Sequence, residues 1–373
     1  MIREVILLAL AGLLAIGSGA ADASDYYAAP GAPASGSCSQ AVPCDLNYAI
    51  SSSSGAGIRI LLAAGTYAEI FLPYGKSIQL IGSGNQTTTV QQSAVSGCAI
   101  EFSTVSSLTA ADVSFSDMTI DAAHAGYGVC STNTSSSANL ASLSFLRSNV
   151  INGSLSGIYV TGTIAVLTIT ESTVSNNAGG VVFEGHGALY INRSLVAYNT
   201  GGFGGIDTAA IDTTIVNSTI VGAAASSAHL ITNGKTLTLS NATVLAAGQT
   251  GSTISAVSAS INYSVIAGTC SGTTLGGDYS VESPGGTCNF TPATSKTASD
   301  PGLGALADNG GPTQTSVPQA GSPVIGIGGP DCQPVDQRNF VRAGLCDAGA
   351  AQLSANTPDV IYADGFDLPP GYG

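Results

Sequence analysis

The stretch VVFEGHGALYI, residues 181–191, places His186 between two glycines, with Glu184 two residues before it. An imidazole titrates near neutral pH and can shuttle a proton, and a carboxylate beside it can orient the ring or share the acid–base work. Counted from Val174, Glu184 stands at +10 and His186 at +12. Counted from Val196, the matching residue of the next repeat, Asp207 stands at +11. Repeats that stack in register would make His186 and Asp207 neighbours. The competing reading is a solvated histidine in a Gly-rich turn. With 48 glycines in 373 residues, one doubly flanked histidine arises by chance at about the 5% level. The scaffold reading is preferred. The aromatic groups able to stack on sugars are tyrosines, since Trp is absent; Tyr159, Tyr190 and Tyr198 are the binding candidates, with Tyr127 near them.

A repeat must position these residues. An apolar residue is followed by another two later and a third five after that. The pattern runs through Val113, Phe115 and Ile120; Leu143, Phe145 and Val150; Leu167, Ile169 and Val174; Leu189, Ile191 and Val196; Thr213, Ile215 and Ile220; Leu237, Leu239 and Val244; and, more weakly, Ala259, Ile261 and Ile266. The third members lie 30, 24, 22, 24, 24 and 22 residues apart. Each unit reads as an alternating strand, a small polar kink, a second short strand, then Asn or Gly. Period-2 alternation marks strands, and a fixed period in the twenties marks a solenoid. The fold expected is all-β: a single-stranded right-handed parallel β-helix of about ten coils, near 50 Å long at one strand spacing per coil. Phe145, Ile169, Ile191, Ile215 and Leu239 would form one buried column. Asn152, Asn176 and Asn199 recur near the second turn and are expected to stack as a hydrogen-bonded ladder.

Composition limits the partners. Lys and Arg number 9 against 23 Asp and Glu, for a net charge of −14. Nucleic acid is excluded, because phosphate binding needs clustered cations. Residues 1–23 read as a secretory signal peptide: Arg3, an apolar run from Val5 to Ile16, then Ala21-Asp22-Ala23 at a cleavage site. No membrane span is expected after its removal, and the protein is expected to be a monomer. Eight cysteines in an exported chain favour disulfides; the sequence-local choice is Cys38–Cys44, Cys98–Cys130, Cys270–Cys288 and Cys332–Cys346. Leu46, Ala49 and Ile50 mark one face of a short capping helix. The expected divisions are a signal at 1–23, an N-terminal cap at 24–57, the β-helix at 58–290, a Gly/Pro-rich C-terminal cap at 291–353 and a flexible tail at 354–373.

The segments CDLNYAI, ILLAAGTY and IQLIGSG resemble the leading part of secreted bacterial right-handed β-helix proteins of the pectate-lyase-like superfold. The later blocks resemble the choice-of-anchor Q domain. They are DPGLGALADNGGPTQT with Asp308, Asn309 and Gly310, then GSPVIGIG, then Asp336-Gln337-Arg338 and Cys346-Asp347. That resemblance implies export, a β-helix and a variable attachment to the cell; it implies no catalytic residues. The ending VIYADGFD is similar to tails on exported proteins of gammaproteobacteria, which implies a secreted, extracellular or cell-surface location in a Gram-negative bacterium. Gly-His-Gly in such a chain also resembles a motif of glycosidases acting on pectin-like polymers. Their paired aspartates are missing one repeat earlier, in SNVINGSLSGIYVTG.

Two functions remain. The favoured one is a non-catalytic protein that binds extracellular polysaccharide or mediates attachment, with a face of Ser, Thr and Asn suited to hydroxyl-rich polymers. The alternative is a lyase or hydrolase on uronic-acid polymers, for which His186, Asp207 and Glu184 are the catalytic candidates. No cofactor is expected; calcium is the one ion a lyase would call for, and Asp207 and Asp212 are the densest acidic pair in the middle repeats.

Overall fold

A computed structural model describes residues 25–353 except 56, 74, 94–96, 104–110, 132–138, 202–203, 210, 223–229 and 248–251. The expected signal at 1–23 and the expected tail at 354–373 lie outside the described residues. Each coil is built the same way, as residues 156–178 show. The strand Ser156–Thr170 alternates, with Ile158, Val160, Ile164, Leu167 and Ile169 buried and Thr168 and Thr170 turned outward. Glu171 then adopts φ +50° and turns the chain sharply. A second short strand, Thr173–Ser175, buries Val174. Asn176 at φ +58° makes the next corner, and the chain re-enters the first sheet at Gly179–Asn192.

Long strands such as Ser156–Thr170 bend midway at a register irregularity between Ile164 and Val166. They therefore supply two faces of each coil. Their later halves form the first face, the short strands the second, and the earlier halves the third. All pairings between named strands are parallel, and the short-strand sheet has 11 strands. The buried column of the first face runs Ile60, Leu80, Phe115, Phe145, Ile169, Ile191, Ile215, Leu239, Ile261, in register from coil to coil. The expected column is present, and its length matches about ten coils.

The small polar kink has a physical role. Below the left-handed residue a serine points inward, and its hydroxyl accepts from the backbone N–H of the preceding coil. Ser148 N–H donates to Ser172 at 3.0 Å, Ser172 to Ser194 at 3.2 Å, and Ser194 to Ser218 at 3.1 Å. Each buried N–H that the corner would strand thus finds an acceptor. Outside the same corner the left-handed residues stack as ion pairs: Arg147 on Asp117 at 2.6 Å and Arg193 on Glu171 at 3.1 Å.

The asparagine ladder includes Asn199 as expected, while Asn152 and Asn176 stand one residue before the inward position. Asn152 and Asn176 hold the left-handed conformation, so the residue after each one points inward. Asn177 and Asn199 are the buried rungs. Asn177 Oδ1 accepts from Gly153 N–H at 2.7 Å, and Asn199 Oδ1 accepts from Asn177 N–H at 3.1 Å. Thr213, the one hydroxyl among the repeat anchors, is accommodated by Asn233, whose amide donates to it at 3.0 Å and to Thr208 at 2.9 Å.

The ends are closed differently. Leu46–Ser52 forms the expected helix, with Leu46, Ala49 and Ile50 buried and the Asp45 carboxylate accepting from Tyr48 N–H. The segment before it, Asp25–Ala28, is itself a strand paired with Ile58–Leu62, so sheet begins inside the expected cap. At the far end Glu282 occupies the inward position of the second-face column, in register with Ile266. Its carboxylate accepts from the N–H groups of Thr287 and Cys288, which seats the Cys270–Cys288 bridge over the end of the core. All four sequence-local disulfides are present.

Residues 300–353, expected as an end cap, instead run back along the rod as a strap. Thr313 hydroxyl donates to Arg193 O, Gln337 to Ser194 O, Arg342 to Asn217 Oδ1, and Gly349 N–H to Tyr263 O. Leu306 packs on the outward Leu195, Ala197 and Val221 of the second face, and Val324 and Ala348 pack with Val265 and Val281. The apolar outer side of the second face explains this course: it needs a cover, which a segment confined to the end of the rod could not supply.

Candidate binding face

The strap decides which surface is open. With the second face covered, the first and third faces carry the candidate residues.

His186 and Glu184 lie on one strand, both exposed on the outer side of the bend into the first face. Asp207 does not join them. His186 pairs in register with Thr163, whereas Asp207 pairs with Val182. The offset is four residues along the strand, about 13 Å. The turn between Val196 and Ile206 is the cause. It takes ten residues where the preceding coil takes seven from Val174 to Val181, since Val181 and Ile206 are the register partners. Equal counts from the anchor therefore do not mean equal positions. Glu184 is engaged by the Tyr159 hydroxyl at 3.1 Å. Burial, and then the Glu184 carboxylate, raises the Tyr159 phenol above its ordinary value. Among the described residues, no group of three or more His, Cys, Asp or Glu gathers so as to hold a metal ion.

The glycines around His186 have a packing reason. A Cβ on Gly185 would sit 1.9 Å from Gly162 O, and one on Gly187, at φ +144°, 1.7 Å from Ile164 O. The bent strand passes too close to the preceding coil for any side chain. Two variants separate scaffold from site. Gly185→Ala is expected to lose roughly 1–3 kcal/mol of stability through backbone displacement. His186→Ala is expected to change stability by less than about 0.5 kcal/mol, as exposed substitutions do. Urea melts of both variants check the pair.

The tyrosine candidates do not form one platform. Tyr159 lies on the third face, stacked on Tyr127 with centroids 5.0 Å apart. Tyr198 holds a left-handed corner at φ +58°. Tyr190 alone stands on the first face, 46% exposed.

Tyr190 belongs to an outward column that the sequence pattern implied only as a general hydroxyl-rich face. In register along the first face run Gln79, Ser114, Ser144, Thr168, Tyr190, Thr214, Thr238 and Ser260. Each is the outward neighbour of two core residues, so the alternation that buries Phe145, Ile169 and Ile191 also fixes Ser144, Thr168 and Tyr190 outside. The rungs repeat at one strand spacing, about 4.8 Å. Hydroxyls both donate and accept, and sheet backbone holds them in a straight line. Such an array can hydrogen-bond an extended, hydroxylated chain, with one exposed ring available for stacking.

Residues 98–269 match the family described as "Right handed beta helix region". The chain is a right-handed parallel β-helix. No curated protein matches it. Among solved structures it is similar to the crystal structure of pectate lyase Pel9A, at 15% sequence identity and a TM-score of 0.49, over 87% of this chain and 95% of that one. Among the described residues no helix is long and apolar enough to cross a membrane.

Proposed function

We propose that this β-helix is an exported, non-catalytic protein that binds a neutral extracellular polysaccharide along its first face. The carrying observation is the in-register outward column from Gln79 to Ser260 with Tyr190 exposed within it. The net charge of −14 favours an uncharged polymer over a polyanion. Four disulfides fit an oxidising compartment. The strap, with its resemblance to the choice-of-anchor Q domain, would tie this binding rod to the cell surface.

Native gels cast with a panel of neutral and uronic-acid polysaccharides test the reading. The wild-type protein is expected to be retarded by at least one neutral polymer without releasing new chain ends from it. Thr214→Arg and Ser144→Arg each push a long charged side chain into the column and are expected to abolish the retardation while leaving the melting temperature in place. Retention unchanged in both variants, or depolymerisation by the wild type, would count against the proposal.

A further inference from the structure

The first face has a groove beside its column, of about 700 Å³, within the size range of small-ligand sites. Its floor includes the column residues Gln79, Ser114 and Ser144. Its side is made by the turns that enter the strands, where Gly55, Gly57 and Gly75 leave space. Two charged residues, Asp112 and Lys76, are among those that line it. Asp112 stands two residues before Ser114 on the same outward side, so it forms a second row next to the column. Its Oδ1 accepts from Ser142 at 2.6 Å, and its own N–H donates to Ser77. The Lys76 ammonium donates to Ile50 O at the end of the capping helix, and burial lowers its pKa from the ordinary value.

We propose that this groove receives a single-sugar branch of the polymer that lies on the column; the proposal rests on the binding role given above. A held carboxylate accepts from sugar hydroxyls, while an ammonium and the Gln79 amide donate to them, so vicinal hydroxyls satisfy both sets. Among the described residues no Phe, Tyr or Trp lines the groove; the branch is recognised by hydrogen bonds, which also set its orientation. The position distinguishes branch from backbone: the groove takes in the rungs Gln79, Ser114 and Ser144 and extends sideways to Asp112, Ser142 and Lys76, so a linear chain lying over the rungs leaves the sideways part empty and a branch fills it.

The test uses paired probes that share a backbone: unbranched mannan and galactomannan oligosaccharides, cello-oligosaccharides and xyloglucan oligosaccharides, and linear and singly branched β-1,3-glucans, titrated against the intact protein. For the backbone that binds, the branched probe is expected to bind about tenfold more tightly than the linear one, the gain from one or two added hydrogen bonds. Asp112→Ala and Lys76→Met are each expected to bring the branched-to-linear ratio towards one, with melting temperatures confirming the fold. Tyr190→Ala is expected to weaken both probes and keep the ratio. Linear binding with no branch preference, or a ratio unaffected by both groove variants, overturns the branch site and leaves the face intact. Failure of every backbone to bind overturns the face reading and the branch site with it.

Discussion

Replacing Ile191 with Asp is expected to unfold the rod at room temperature or bring it close to unfolding. Ile191 is 1% exposed and sits in register between Ile169 and Ile215. The carboxylate would face apolar side chains in both neighbouring coils and have no cation among them. Burying a charge without a partner costs several kcal/mol, comparable to the whole stability of many domains. A solenoid transmits the damage, because each coil is stabilised by the two beside it. Circular dichroism during a thermal melt is the measurement. A variant melting within a few degrees of the wild type would mean that residue 191 is not in the core.

The second large effect is expected in the strap. Asp336 is fully buried and organises its surroundings. It accepts from the guanidinium of Arg338, at 2.6 and 3.0 Å, and from the N–H groups of Arg338 and Gln352. Asp336→Ala leaves a buried guanidinium without its counter-ion and is expected to cost roughly 3–5 kcal/mol. The consequence reaches beyond the strap. Arg342 and Gln337, held by the same segment, anchor it to the coils of Asn217, Ser194 and Thr219. Losing it uncovers Leu195 and Val221 on the second face. The expected readout is a lowered urea midpoint together with new binding of a hydrophobic dye before global unfolding. An unchanged midpoint would contradict the strap's structural role.

Particular residues show what the sequence made legible. Phe145, Ile169, Ile191 and Ile215 recur with the same neighbours, and a strand's period of two leaves one way to bury them all. The column and the coil number followed. Leu46, Ala49 and Ile50 likewise announced the capping helix, since no other spacing groups them on one side. The placement of Asp207 was not legible. It depends on three extra residues in the turn after Val196, and turn length carries no apolar signal. Of the three recurring asparagines Asn199 is a buried rung, but Asn152 and Asn176 are corners: the left-handed conformation of Asn176 turns Asn177 inward, and Asn alone does not distinguish the corner from the rung beside it. The path of the strap was hidden for another reason: Gln337 meets Ser194, and Arg342 meets Asn217, across more than a hundred residues, and the strap itself carries no repeat that would place it. The one available sign was the row Leu195, Ala197 and Val221, apolar at positions that a solvent-facing strand would make polar.

The central claim is that the first-face column, and not the Gly-His-Gly bend, is the working surface. The most direct measurement compares Tyr190→Ala and His186→Ala with the wild type for affinity and chain-end release on the same polymer. Tyr190→Ala is expected to weaken binding about tenfold, or about 1.4 kcal/mol, with its melting temperature unchanged, while His186→Ala binds as the wild type does. Loss of a measurable depolymerising activity in His186→Ala, with full binding retained by Tyr190→Ala, would contradict the account.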